Sequence, residues 1–202
     1  MKANKPENGA TQPPRHPEEI FLRPLERKDA EALLQLRLAS RSNYESFQPA
    51  REDAYYTLSS QKEEIEEGLF AAEQGTDYTF GIFRGPEEEL AGRIRLSAVH
   101  RGVWQNANVG YFVGVPYQGL GCGTEAVKQA ARFAFLEAGL HRLQAAVMPW
   151  NHASLRVMEK AGFRREGLAE RYLRINGIWE DHVLFALTAE ELERDEESHS
   201  SP

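Results

Sequence analysis

The stretch that decides the fold runs from Tyr117 to Thr124 and reads YQGLGCGT, directly after the apolar run VGYFVGV at 109–115. Glycines alternate at 119, 121 and 123, and the following segment TEAVKQAARFAF has an amphipathic helical pattern. Glycine weakens strands and helices, so this density indicates a backbone that turns tightly or is closely approached. The N-terminus of the following helix offers free N–H groups and a positive dipole end. The loop therefore predicts either a phosphate or other anion site or a structural turn, and both alternatives stay open at this point.

Two familiar phosphate-binding loops can be compared with this stretch. A P-loop ends in Gly-Lys-Ser/Thr, whereas Gly123 is followed directly by Thr124. The dinucleotide fingerprint G-x-G-x-x-G/A is met formally by GCGTEA at 121–126. That fingerprint belongs near the start of a repeated array, with an acidic residue at the end of the next strand, but here that strand ends in MPWN at 148–151. The residues therefore favour an anion loop of another kind.

Helical and strand patterns alternate on both sides of the loop in the order β-α-α-β-β-β-α-β-α-β-β. The strand, glycine loop, helix and strand in the middle predict a βαβ unit with parallel strands and a right-handed crossover. A turn at 85–89 and Asn176-Gly177 each predict an antiparallel hairpin. We expect an α/β (α+β, three-layer) fold, a mixed and mostly antiparallel sheet with helices on both faces. The predicted strands are 20–25, 78–84, 90–99, 108–115 and 143–148, and the predicted helices are 29–40, 60–74, 124–138 and 152–161.

Composition bounds the class of protein. The chain has 202 residues, 41% of them hydrophobic, which predicts one globular domain. Its net charge of -7 disfavours a general nucleic-acid binder, and no apolar run approaches the ~20 residues of a membrane span. The single cysteine, Cys122, excludes an internal disulfide and predicts an intracellular location. We expect a disordered polar arm at 1–17, a folded domain at 18–192 and a disordered acidic tail at 193–202.

An ordered set of motifs resembles the GNAT acetyltransferase family. Gln118-x-x-Gly121-x-Gly123 resembles the family's acetyl-CoA motif (Gln/Arg)-x-x-Gly-x-(Gly/Ala), and NVGYFV at 108–113 resembles its splayed strand. The RimJ/RimL branch of the family is resembled by three further segments: TEAV at 124–127, NHAS at 151–154 and EKAGF at 159–163. The last hairpin of that branch resembles the region that contains Gly167, Gly177, Trp179 and residues 181–183. The resemblance covers about residues 20–187 and implies that the loop holds the pyrophosphate of coenzyme A.

Within the branch, the likeness is to enzymes that acetylate the N-terminal alanine of a small-subunit ribosomal protein, and it is carried by HRG at 100–102 and RYLRINGIWEDHV at 171–183. The resemblance implies an N-acetyltransferase that moves acetyl from acetyl-CoA to an amine by direct attack in a ternary complex. The expected acceptor is the N-terminal α-amine of a ribosomal protein. Two alternatives stay open: a small-molecule amine acetyltransferase (polyamine, aminoglycoside or amino acid), and a non-catalytic CoA-binding sensor or partner domain.

The resemblance also implies a cofactor site along the strand and the loop. We expect the pantetheine arm to pair with the backbone of Val113 and Val115, and a strand N–H near Val113 to act as the oxyanion donor. Asn151 is expected to hydrogen-bond the arm, and a helix N-cap role is its alternative or additional function. The pyrophosphate is expected on the loop amides of Gln118, Gly119, Leu120, Gly121, Cys122, Gly123 and Thr124.

The resemblance identifies the catalytic residues less completely than the residues of the cofactor site. Ser154 is expected to protonate the departing thiolate, and its alternative is an ordinary first-turn helix serine. Many GNAT enzymes use a tyrosine seven residues after the asparagine, but Met158 stands there and cannot donate a proton. A glutamate often precedes Val-Gly-Tyr in the splayed strand, where this chain has Asn108. The base therefore remains open among Glu125, Glu170, Tyr172 and a water relay, and Glu125 has a dipole or packing role as its alternative.

No second reactive centre is expected. Cys122 is interpreted as a small loop residue, because no nearby pattern supplies an activated Cys-His pair. The six histidines show no metal-ligand spacing, so no metal is expected. The expected partners are acetyl-CoA and the amine acceptor, without direct nucleic-acid or membrane contact. We expect a cytoplasmic monomer or homodimer.

Overall fold

The computed structural model describes residues 18–200 and confirms the predicted fold class. The strands are β1 (Ile20–Pro24), β2 (Tyr78–Arg84), β3 (Glu89–His100), β4 (Asn106–Val113), β5 (Arg142–Val147), β6 (Arg164–Ile175) and β7 (Ile178–Thr188). The helices are α1 (Ala30–Tyr44), α2 (Leu58–Glu73), α3 (Cys122–Arg132), α4 (His152–Lys160) and α5 (Ala189–Ser200). The predicted arm at 1–17 lies outside the described residues.

All seven strands form one sheet in the order β1-β2-β3-β4-β5-β7-β6. Every neighbouring pair is antiparallel except β4 and β5, which are parallel and paired only from Asn106 opposite Arg142 to Asn108 opposite Gln144. Beyond these residues β4 continues to Val113 and β5 to Val147 without pairing to each other. The middle of the sheet therefore opens on one side, leaving strand N–H and C=O groups of β4 facing the gap.

Two apolar cores lie on the two faces of the sheet. The core that contains α1 and α2 includes Phe83, and the core that contains α3 and α4 includes Ile82. These are consecutive residues of β2, so their side chains point to opposite faces, as the period of a strand requires. Both side chains are fully buried. The sheet is thus the middle of three layers, as predicted.

Two elements next to the glycine loop end differently from the sequence prediction. The strand predicted to reach Val115 ends at Val113, and Val115–Tyr117 form a 3-10 turn, because Pro116 has no N–H for a strand ladder. The helix predicted to continue to Ala138 is an α-helix only to Arg132 and finishes as a π-helical turn at Phe133–Glu137. Gly139 follows with φ +63, which agrees with the predicted C′ position.

The acidic segment predicted as a disordered tail from 193 belongs instead to helix α5 as far as Ser200. Its start is stabilised by Glu191, whose carboxylate accepts the Thr188 N–H at 2.9 Å and the Thr188 hydroxyl at 3.1 Å. Thr-x-x-Glu is a capping-box sequence, and this signal was available at 188–191. The run of acidic residues predicts a disordered tail, although the first turn of a helix favours negative charge.

Candidate active site

A cleft of about 540 Å³ lies where β4 and β5 separate. It is bounded by the end of α1, the glycine loop with the start of α3, and the start of α4. Predicted site residues that line it are Val113, Gln118, Gly119, Gly121, Cys122, Gly123, Thr124, Asn151 and Ser154. Lining residues that the sequence reasoning did not assign a role include Tyr44, Phe47, Tyr111, Trp150, His152, Arg156 and Lys160.

Glycine is required at the three loop positions for two different structural reasons. Gly119 and Gly121 have φ of +77 and +82, a left-handed conformation that residues with a Cβ rarely adopt. Gly123 is helical, and a Cβ there would lie 3.3 Å from the Tyr111 ring and 3.5 Å from Val157, so its reason is close packing of α3 on β4 and α4. A Cβ at Gly119 or Gly121 would meet no protein atom within 4 Å. The space in front of the loop is therefore open to a ligand.

The start of α3 gives this side of the cleft its anion-binding character. Gly121 is the N-cap, and the first N–H groups of the helix, from Cys122 on, have no acceptor within the helix. Arg156 and Lys160 on α4 also line the cleft, one helical turn apart. Two cations and a helix N-terminus along one cleft fit a pyrophosphate or other multivalent anion. Their i, i+4 spacing was the sequence signal for them.

Cys122 is the first residue of α3 and is almost fully buried. Burial raises the pKa of its thiol, which keeps the sulfur protonated and unreactive at neutral pH. The structure therefore supports the interpretation of Cys122 as a small packed residue of the loop.

Two hydroxyl groups meet in the middle of the cleft. Tyr111 on β4 donates to Ser154 Oγ on α4 at 3.2 Å. Burial raises the pKa of Tyr111 to about 12, an effect that the hydrogen bond with Ser154 only partly offsets, so the phenol stays protonated. With Tyr111 as donor, Ser154 keeps its own proton available for a group in the cleft. Tyr111 lies within the splayed-strand motif at 108–113, but the sequence pattern assigns it no role.

On the open edge of β4, the backbone of Val113 is hydrogen-bonded by a side chain of α1. The hydroxyl of Tyr44, the last residue of α1, donates to the Val113 carbonyl at 2.6 Å and accepts the Val113 N–H at 3.0 Å. The Val115 N–H donates to Ser40 Oγ at 3.1 Å, and Val115 does not line the cleft. The two strand residues predicted to pair with a cofactor arm thus both bond to α1, and only Val113 faces the cleft.

Asn151 is the N-cap of α4, since its Oδ1 accepts the Ser154 N–H at 3.1 Å. This is the capping role that the sequence left as the alternative or additional function. The cap uses the carbonyl oxygen of the side chain, so the amide nitrogen can still donate into the cleft. The same cap orients the first turn of α4, from which Ser154 projects.

Three other predicted site residues do not line the cleft. Leu120 is about half exposed at the tip of the loop. The Glu125 carboxylate accepts from Gln129 at 2.8 Å, and Gln129 in turn bonds the backbone of β1, so Glu125 serves the packing of α3. Tyr172 is exposed on β6, where its ring lies 5.7 Å from that of His182. Glu125 and Tyr172 therefore do not line the cleft, and the identity of the general base for the amine stays a prediction.

Aromatic rings close the cleft on the side away from the glycine loop. Phe47, in the segment that follows α1, packs against Trp150 with ring centroids 4.7 Å apart. Trp150 directly precedes the Asn151 cap, so this contact joins the α1 side of the cleft to the α4 side. Sequence periodicity has no signal for such a contact between distant loops.

Within residues 18–200, no group of three or more His, Cys, Asp or Glu side chains is placed to hold a metal ion. No helix in that range is both long and apolar enough to span a membrane.

Comparisons with known proteins agree with this geometry. Residues 19–164 match the family described as Acetyltransferase (GNAT) domain. The chain is 44% identical over 168 residues to the probable N-acetyltransferase YjcK of Bacillus subtilis, covering 83% of this chain and 93% of that protein. It is 40% identical over 115 residues to the ribosomal protein uS5 alanine N-acetyltransferase of Escherichia coli, covering 57% of this chain and 59% of that protein.

A solved structure with a similar fold is that of Mycobacterium smegmatis RimJ in complex with CoA-disulfide. It has a TM-score of 0.81 and 30% sequence identity, and the match covers 89% of each chain. The family match and the relatives therefore lead to one conclusion: this chain is a member of the GNAT family of acetyltransferases.

Proposed function

We propose that this acetyltransferase moves the acetyl group of acetyl-CoA to the N-terminal α-amine of a protein, by direct attack in a ternary complex. The observation that carries the proposal is the cleft between β4 and β5, which has an anion-binding helix start at one end and the Tyr111–Ser154 hydroxyl pair in its middle. The names of two relatives, RimJ and the uS5 alanine N-acetyltransferase, support the acceptor class.

The residues in the cleft fit acetyl-CoA as co-substrate, which supplies the thioester. The N–H groups of Gly121 to Thr124, with Arg156 and Lys160, would hold its phosphates. The backbone of Val113 would hold its arm and polarise the acetyl carbonyl, which requires the Tyr44 hydroxyl to give up its two bonds there. Asn151 would donate its amide N–H to the same arm.

Ser154 would protonate the sulfur as the carbon–sulfur bond breaks. The amine nitrogen forms the new bond to the carbonyl carbon as the carbon–sulfur bond breaks, the departing sulfur takes the Ser154 proton, and the proton that the amine loses returns to Ser154 through water. Tyr111 donates to Ser154 Oγ and so holds the serine hydrogen toward the cleft. We assign Tyr111 this orienting role because its own proton is given to Ser154 Oγ, which leaves the Ser154 proton as the one directed to the sulfur.

The choice of an α-amine follows from the groups available to accept a proton. None of the described residues that line the cleft is Asp or Glu, and the one imidazole in that set, His152, is exposed at the first residue of α4. An α-amine with a pKa near 8 is roughly one-fifth neutral at pH 7.4, against about one-thousandth for a lysine side chain. A site with weak base assistance therefore favours α-amines.

A competition within one peptide tests this proposal. The substrate begins with Ala or Ser and contains one internal lysine, and its control is the same peptide with a blocked N-terminus. We expect acetylation at the terminus of the first peptide and none on the second, as located by tandem mass spectrometry. Preferential acetylation of the lysine would contradict the proposal. Turnover of a polyamine or aminoglycoside with no peptide turnover would favour the small-molecule alternative instead.

A further inference from the structure

One exposed side chain joins two parts of the chain that are far apart in sequence. Asn176 is the first residue of the turn between β6 and β7. Its Nδ2 donates to the Glu45 carbonyl at 2.6 Å, and its Oδ1 accepts the Ala50 N–H at 2.8 Å. These bonds span 131 and 126 residues of sequence. One carboxamide thus holds both ends of the segment 45–50, which is neither helix nor strand.

The segment held in this way forms one wall of the cleft. Phe47 lies between the two bonded residues and packs against Trp150 at 4.7 Å. Tyr44 directly precedes the segment and reaches the Val113 backbone. The segment itself is largely exposed, so it buries little apolar surface that would fix its position. Its position therefore depends strongly on the few hydrogen bonds that tie it to the rest of the protein.

The turn alone does not account for these two bonds. Asn176 and Gly177 have φ of +48 and +90, and a two-residue turn with two positive φ values is met by Asn, Asp or Gly in the first position. Only a carboxamide offers both a donor and an acceptor. Glu45 presents a carbonyl and Ala50 an N–H at the matching positions. The side chain of Asn176 thus does more than permit the turn.

We propose that Asn176 is a positioning residue for the acceptor: by fastening the segment 45–50 to the β6–β7 turn, it sets the Phe47–Trp150 wall against which the acceptor amine is placed. The proposal rests on the proposed function, in which acetyl-CoA lies along the glycine loop, and adds that the acceptor enters beside this wall. The proposal predicts an effect on the binding of the acceptor and not on that of acetyl-CoA, because the two hydrogen bonds of Asn176 go to the segment 45–50 and not to the glycine loop or α4.

The test uses Asn176→Gly in the full chain, since Gly-Gly preserves the turn and removes both bonds. Two hydrogen bonds of ordinary net strength correspond to about a tenfold change, so we expect the KM for the acceptor peptide to rise about tenfold. We expect kcat and the KM for acetyl-CoA to stay within about twofold. Asn176→Asp keeps the acceptor for Ala50 and loses the donor for Glu45, so its acceptor KM should be intermediate.

Hydrogen exchange provides a readout that needs no substrate. We expect the Ala50 amide to exchange faster in Asn176→Gly than in the wild type, with β4 and β5 unchanged. A second readout uses the Phe47→Ala background, where Asn176→Gly should change the acceptor KM less than about twofold because the wall is already removed.

The outcomes are distinguishable from failure of the proposed function. Unchanged exchange at Ala50, an unchanged acceptor KM, or an equal rise in both KM values would each overturn the positioning role. If the wild type acetylates a small amine and no peptide, the proposed acceptor is wrong. The same variants measured with that amine still decide whether Asn176 positions the acceptor.

Discussion

The two sides of the cleft are built in different ways. On the glycine-loop side (residues 118–124 with α3 and α4), the cleft is formed by backbone N–H groups of the loop and α3 and by two basic side chains of α4. On the α1-segment side (residues 43–50 with the β6–β7 turn), it is formed by aromatic side chains held by Asn176 and by the Phe47–Trp150 contact. Backbone geometry on the first side is encoded locally by glycines, whereas the second side depends on contacts between distant segments.

This difference suits two kinds of substrate. Every acetyl-CoA molecule presents the same phosphates, so a rigid helix start can be shared by a whole family. Acceptors differ between enzymes, and a wall of side chains on an exposed segment can change without disturbing the sheet. We therefore expect mutations on the glycine-loop side to affect acetyl-CoA and those on the α1-segment side to affect the acceptor.

The largest effect is expected for Gly121→Glu on the glycine-loop side. The substitution strains a residue with φ +82 and puts a negative charge in front of the α3 N-terminus, so acetyl-CoA affinity should fall by about 100-fold or more. Titration calorimetry measures this. Gly139→Glu is the matched control, because Gly139 also has positive φ and an open Cβ position but does not line the cleft. Equal losses in the two variants would mean that backbone strain, and not the phosphate site, causes the effect.

A smaller effect is expected at Ser154, in the middle of the cleft. We expect Ser154→Ala to lower kcat by roughly 10–100-fold, since a thiolate is already a good leaving group. Acetyl-CoA affinity should change little, because Asn151 caps α4 through the Ser154 backbone N–H, which alanine retains. Rapid-quench measurement of the chemical step tests this, and Tyr111→Phe should give a weaker loss of the same kind. If Ser154→Ala kept the full rate of the chemical step, water and not Ser154 would be the acid that protonates the thiolate.

The smallest effect is expected on the free energy of unfolding, at the ion pairs that hold α1 to α2 and β3 below the α1-segment side. Arg37 on α1 donates to Glu64 on α2 at 2.8 Å through both terminal nitrogens, and Arg93 on β3 also pairs with Glu64. Burial alone would raise the pKa of Glu64, but the Arg37 hydrogen bonds and the Arg93 charge outweigh it and lower that pKa to about 2. Because the carboxylate is partly exposed, we expect Glu64→Gln to reduce the free energy of unfolding by about 1.5 kcal/mol at pH 7.

The pH dependence of this loss has a defined sign. A carboxylate whose pKa is lowered in the folded state stabilises the protein above its unfolded pKa, and that stabilisation is lost as the pH falls toward the folded pKa. The difference between wild type and Glu64→Gln should therefore shrink as the pH falls from about 4.5 toward 2. Urea unfolding at several pH values measures it, with exposed Glu67→Gln on the same helix as control. A difference that stays constant down to pH 3 would argue against the ionised pair.

Much of the fold could be predicted from sequence because its signals are local. The order of strands and helices up to β7 follows from periodicity, and Asn176-Gly177 correctly places the last hairpin. Helix α5 was missed, although the Thr188-x-x-Glu191 cap marks its start. Within the site, the glycine loop, Asn151 and Ser154 were predicted and do line the cleft. Glu125 was expected near the chemistry, but its bond to Gln129 directs it to the packing of α3 on β1.

The sequence by itself determined the elements and the glycine-loop side, because turns, caps and helix starts depend on residues a few positions apart. Only the tertiary structure decided which side chains meet across the opened sheet: Tyr44 with Val113, Tyr111 with Ser154, and Asn176 with the segment 45–50. The physical reason is that β4 and β5 pair over three residues and then separate. The packing of the helices on the sheet then sets which residues reach that gap, and sequence spacing carries no record of it.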